Sequence, residues 1–250
     1  MSVERAEFTK FRSVASTGWS LLAAAASTVV LGILYARLGV TRPPADPAGF
    51  DATATTLAGV QLAQIAVGAL GILVITGEYA SGQIRTTLTA VPRRTRVVVA
   101  KAAVVAAATG ALSLIAVFGA FLAGQRILTP PHLNVALGDP GVLRALVGGA
   151  LYLTVAALLG LGLGLLLRNT AGAISGLFGL LFVPQLFAAL LPASVADQIT
   201  RYLPEPAGIA VTLDRPGPSS LGPWTGLAVF TLYAAVVLAL GVWRLRRTDV

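Results

Sequence analysis

"VLRALVGGALYLTVAALLGLGLGLLLRNTAGAISGLFGLLFVPQLFAALL", Val142 to Leu191, holds two arginines, Arg144 and Arg168, and no other charged residue. A hydrocarbon core of about 30 Å is crossed by roughly 20 apolar residues in a helix. This stretch is long enough for two crossings, Val142–Leu167 and Ala171–Leu191, reversed at Arg168-Asn169-Thr170. Barrel strands would show short alternating segments. These runs are continuous, and a helix satisfies its backbone groups within the segment, as lipid demands.

Working outward, four more runs of similar character follow the same logic: Gly18–Ala36, Leu57–Thr76, Val97–Gly124 and Trp224–Trp243. With 56% hydrophobic residues, 11% charged residues and a mean hydropathy of +0.83, the composition excludes an ordinary soluble domain. The expected fold class is all-α integral membrane with six transmembrane helices, in one transmembrane domain over residues 1–250. The first run is too long for a secretory leader, and no small-residue cleavage site follows Tyr35-Ala36-Arg37, so it reads as a retained helix. Residues 1–17, with Glu4, Arg5, Glu7, Lys10 and Arg12, read as an interfacial helix leading into it.

Charge orients the spans. With both termini inside, 12 of the 18 basic residues fall on the cytoplasmic side, which nets +8 while the outer side nets 0. The positive-inside rule favours that placement. Arg outnumbers Lys 16 to 2 among abundant Ala and Gly, which fits a GC-rich bacterial genome and a multi-pass protein of the bacterial inner membrane.

The loop at 77–96, "GEYASGQIRTTLTAVPRR" and onward, is then cytoplasmic. Ile84, Leu88 and Val91 recur at helical spacing, and Pro92 stops the pattern, so an amphipathic helix is expected from Glu78 to Ala90. Its polar face holds Glu78, Ser81, Gln83, Thr86 and Thr87 with only Arg85, less basic than a membrane-surface helix. Such a face suits a protein partner. Glu78 and Arg85, two turns apart, are expected on one face, while Arg93, Arg94 and Arg96 read first as headgroup contacts.

"EYASGQIRTTLTAVPRRTRVVVAK" running into the third span resembles the first cytoplasmic loop of bacterial type-2 ABC exporter permeases, and "VERAEFTKFRSVASTGWSLL" resembles that family's entry helix. The resemblance implies a coupling helix docked on a separate ATPase subunit, with Glu78, Tyr79, Arg85, Arg93 and Arg94 at the contact. It also implies a second permease copy, as homodimer or heterodimer, with the second and fifth spans facing the dimer axis.

Chemistry within this sequence is sparse. A P-loop needs a Lys after Gly to reach the phosphates. Lys10 follows Thr9 and Lys101 follows Ala100, so neither completes one, and ATP is expected on the partner subunit. No enzyme activity, cofactor or metal is expected: there is no Cys, and the single His132 lies in an outer loop without nearby partners. "GAISG" would need a base on a facing span to make Ser175 a nucleophile, and no span holds a His. Asp and Glu are absent from the apolar interiors, which argues against an ion-driven relay, and Lys101 is expected to snorkel to the headgroups.

Candidates for a substrate path are Gln61 and Gln64 on the second span and Phe178, Phe182 and Gln185 on the fifth, the last after Pro184. Interhelical hydrogen bonding is the competing reading for the amides, and packing for the rings. Glycines at 160, 162 and 164 and at 172, 176 and 179 are expected to bring the fourth and fifth spans together in a tight hairpin. In the outer loop 192–223, Ser194 is expected to cap a short helix through Leu203, as a lid, a re-entrant element or a plain linker. The cargo expected of such a path is an amphipathic drug, antibiotic or lipid-like molecule. A passive channel or membrane scaffold is the alternative.

Overall fold

The computed structural model describes residues 15–42, 50–90, 94–129, 133–214 and 220–247. Its regular elements are helical: α1 (Ala15–Thr41), α2 (Ala52–Thr56), α3 (Val60–Ala80), α4 (Gln83–Ala90), α5 (Arg94–Leu128), α6 (Val142–Leu167), α7 (Thr170–Ala188), α8 (Ala193–Thr200), α9 (Pro204–Ile209) and α10 (Pro223–Arg247), with a 3₁₀ turn at Ala210–Thr212. Six of them, α1, α3, α5, α6, α7 and α10, are long and apolar enough to cross a membrane. The chain is a multi-pass membrane protein. The expected interfacial helix falls largely on residues 1–14, outside the described residues, as do Arg93 and His132.

The fourth span sits at the centre. In α6, 67% of the apolar window is buried, against 22% in α1 and in α7, so α6 is the post around which the others stand. Its principal neighbours are α3, α10 and α5, and α1 packs on α5 and α3. The closest approach is between α3 and α6, where a Cβ on Gly160 would collide with the Gly68 carbonyl and one on Gly71 with the Ala157 carbonyl. Small residues therefore let two backbones touch, as interhelical packing in lipid favours.

That finding corrects the expected glycine hairpin between the fourth and fifth spans. Gly160 and Gly164 face α3 and Gly162 faces Leu238 on α10; on α7 Gly176 does face Leu167 and Leu163 of α6, whereas Gly179 has nothing close to it. On α6, three glycines spaced two apart cannot share one face of a 3.6-residue helix, so they serve two different neighbours. The turn itself is as read. Arg168 takes a left-handed conformation (φ 56°) at the end of α6, and Asn169 caps α7 by accepting from the Gly172 N–H at 2.8 Å.

Beyond α7 the chain folds back into the bundle. Ser194 does not cap α8; it lies inside the helix, whose N-cap is Pro192. The apolar residues of α8, Val195 and Ile199, are exposed, as is Tyr202 just after it, so an apolar face lies on the outside of the bundle. The chain then enters α9 with Pro204 at the first helical position, where its missing N–H costs nothing. Pro204, Glu205, Ala207 and Gly208 are buried, and a Cβ on Gly208 would meet the rings of Tyr152 and Phe230. Tyr152 lies ten residues into α6, about 15 Å along its axis. This part of the loop, α9, is therefore packed into the helical bundle.

Candidate functional site

Polar side chains gather at the two ends of the bundle, marked by α4 and by α9. At the α4 end, α3 runs through Ala80 and the chain breaks at Gly82, whose φ of +73° is left-handed and suits glycine. Glu78 is thus the last turn of α3 and not the start of α4. The helix break rotates it away from Arg85, which corrects the expectation that the two share a face: Glu78 is buried while Arg85 is exposed on α4.

Glu78 instead accepts from the Lys101 ammonium of α5 at 3.0 Å. Lys101 is buried as well, so it does not snorkel to the headgroups. A partner across the interface stabilises it where it stands. Tyr79 lies beneath the Arg168 guanidinium, 5.4 Å from its ring centre. Arg94 donates to the Leu245 carbonyl at 2.8 Å, Arg246 to the Thr95 hydroxyl at 2.8 Å, and Arg244 to the Leu166 carbonyl. Arg94 and Arg244 thus satisfy helix C-terminal carbonyls that have no intrahelical donor and place positive charge at the negative end of the helix dipole. Arg94, read first as a headgroup contact, is in fact a strut between α5 and α10.

What remains open at this end is α4. Ile84 plugs it into a cluster with Ile75, Val98, Leu161, Leu165 and Leu245. Gln83, Arg85, Thr86 and Thr89 are exposed. Thr86 and Thr87 donate their hydroxyls to the Gln83 carbonyl, so the long side chains that project from this face are Gln83 and Arg85.

At the α9 end, the two glutamines of the second span part company. Gln64 is fully buried and accepts a hydrogen bond from the Tyr152 hydroxyl of α6. That is the interhelical bond weighed against cavity lining. Gln61, one turn earlier, is exposed and donates to Glu205 Oε1 at 2.8 Å. Gln185 of α7 donates to Glu205 Oε2 at 3.1 Å and to the Leu181 carbonyl at 2.8 Å, in the turn that Pro184 loosens. Two candidates thus converge on a third residue that sequence reasoning missed. Glu205 is only 4% exposed, so the apolar interior does hold a carboxylate, delivered by α9 and not by a span.

Phe178 and Phe182 stack along α7 with ring centres 5.8 Å apart. Both are exposed, with Val183, Leu186 and Phe187 beside them, so they line the outer surface of a single chain. A cavity of about 430 Å³ opens beside α9, bordered by Asp197, Thr200, Arg201, Glu205, Ile209 and Leu213. Among the described residues, no group of three or more His, Cys, Asp or Glu side chains is placed to hold a metal ion.

Comparison with models of protein families and with characterised proteins finds no match to this chain, so its function rests on the geometry of these two ends.

Proposed function

We propose that the chain is the membrane-spanning subunit of an ATP-driven exporter of the type-2 ABC class, moving an amphipathic drug, antibiotic or lipid-like molecule. The observation that supports it is α4. It is a separate short helix that starts after Gly82, anchored among its described side chains by the buried Ile84, and presenting Gln83 and Arg85 outward. A short helix plugged into the bundle by Ile84 at its basic end can transmit a push from a docked protein into α3 and α5. The chain supplies the path and a separate ATPase supplies the hydrolysis.

In this reading the α4 end is cytoplasmic and the α9 end faces out, as the distribution of Lys and Arg favours. A second permease copy meets the exposed faces of α3 and α7, where Gln61, Phe178 and Phe182 lie. Among the described residues the contact set narrows to Gln83 and Arg85, because Glu78, Tyr79 and Arg94 are engaged within the bundle, while Arg93 lies outside the described residues and stays in the expected set.

The test is co-purification with the ATPase encoded beside the gene, followed by ATP-dependent transport in proteoliposomes. Binding that is lost on Arg85→Glu supports the proposal. A chain that binds no ATPase and conducts without ATP is a passive channel instead.

A further inference from the structure

Glu205 is a buried carboxylate with no buried cation to match it. Its two oxygens accept from the amides of Gln61 and Gln185, which are neutral. Among the described residues no Lys or Arg lies within ion-pair distance of it. Hydrogen bonds from neutral donors orient a carboxylate but leave its charge, and a buried charge without a counter-charge is costly. The contrast within the same molecule is Glu78, which has Lys101.

Glu205 also borders the cavity of about 430 Å³ described above, a size in the range of small-molecule sites. Among the described residues, the other charged groups on that cavity are Asp197 and Arg201. Arg201 stacks on the ring of Tyr202, 5.0 Å from its centre, and makes no ion pair with either carboxylate among the described residues. Among the described residues the lining holds two carboxylates and one guanidinium. Ile209 and Leu213 give it an apolar wall, and Thr200 a hydroxyl.

We infer that this cavity binds an organic monocation with an apolar body, whose positive charge is received by Glu205 while Gln61 and Gln185 hold the carboxylate in place. The proposal deepens the exporter reading, on which the role of this ligand as cargo rests. The site joins α9 to α3 and α7, so a bound cation would tie α9 to two spans.

The experiment uses the full chain in an uncharged detergent, with tetraphenylphosphonium as probe and tetraphenylborate as its anionic counterpart of like shape, followed by equilibrium dialysis at pH 7. The expected result is saturable binding of the cation, at least tenfold weaker binding of the anion, and at least a tenfold loss of cation affinity in Glu205→Gln. Glu205→Asp keeps the charge and should retain most of the binding, and Asp197→Asn, on the rim, should change it less than threefold. Absence of saturable binding, equal affinity for the two ions, or unchanged affinity in Glu205→Gln would overturn the inference. The two-ion comparison needs no variant, so it stands whether or not Glu205→Gln folds. No ATPase is present, so a failure here leaves the exporter reading intact, and a failure to bind ATPase leaves the cation site intact.

Discussion

At the α4 end of the bundle Glu78 meets the Lys101 ammonium at 3.0 Å, and the arginines around it bond helix-terminal carbonyls. At the α9 end Glu205, equally buried, is held by two neutral amides beside an open cavity. The two ends are spanned by one helix, since Gln61 opens α3 and Glu78 closes it, a separation of about 25 Å at helical rise. The difference separates two uses of buried charge. A closed pair with its own counter-ion fixes helices against each other, whereas a carboxylate whose partners are neutral keeps its charge available to something that arrives.

The sharpest way to break this comparison is to make the closed end resemble the open one. Lys101→Met removes the ammonium and leaves Glu78 buried without it. Breaking a buried pair from one side costs about 3–5 kcal/mol. Thermal unfolding in detergent should show a loss larger than that of Gly160→Leu or Tyr152→Phe. The double variant Glu78→Gln with Lys101→Met should recover much of it, because two neutral side chains need no counter-charge. If Lys101→Met is as stable as the parent protein, the pair is not a structural clamp and the two ends are not different in kind.

The next effect is expected at the α3–α6 contact that holds the ends in register. Gly160→Leu forces a side chain against the Gly68 carbonyl, and overpacking of a tight contact costs about 1–3 kcal/mol. Gly179→Leu on α7 is its control, with open space around the glycine. Unfolding temperatures of the two variants should differ clearly, and equal values would remove α6 from its place as the central post.

These contrasts also mark what the sequence could reveal. The spans were legible because bilayer thickness imposes a length on apolar runs, and Val142–Leu167 is found with the boundaries read from the sequence. The turn at Arg168 and Asn169 was legible because Asn is a good cap. Partners far apart in the chain were not. Nothing local to Lys101 points to Glu78, 23 residues earlier, and without that partner snorkelling was the reasonable reading of a lysine at a span end. Glu205 was hidden differently. Pro204 and Pro206 follow the short helix expected to end at Leu203, in a loop left open as lid, re-entrant element or linker, yet both fit the first turn of a further helix, where backbone N–H groups have no intrahelical acceptor. A carboxylate in that first turn was the available signal for a helix start, though not for its burial.

Tyr152→Phe probes the α9 end without touching its charge. It deletes the hydroxyl that donates to Gln64 and keeps the ring against Phe230, whose centre lies 4.9 Å away. Interhelical hydrogen bonds in membrane proteins average about 0.6 kcal/mol, with a maximum near 1.7. A loss of about 1 kcal/mol in unfolding free energy is expected, with cation binding at Glu205 nearly unchanged. A large loss of binding would mean that Gln64 and Tyr152 belong to the site and not to its scaffold.

The smallest effect on stability, and the largest on coupling, is expected for Arg85→Ala. Arg85 is exposed on α4, and its helix is held by Ile84. Surface substitutions of this kind usually change stability by less than about 0.5 kcal/mol, so folded yield and unfolding temperature should match the parent protein. Association with the ATPase should nevertheless weaken, because a guanidinium facing a partner carboxylate forms charge-assisted, often bidentate bonds that Ala cannot replace. Glu78→Ala should show the reverse pattern: a lower unfolding temperature from the loss of the Glu78–Lys101 ion pair, and reduced transport only in proportion to the protein that remains folded. Measuring both variants for unfolding temperature and ATPase co-purification separates a side chain that touches a partner from one that holds the bundle. If Arg85→Ala co-purifies with the ATPase as well as the parent protein, α4 is a passive surface helix and the α4 end is closed in every respect.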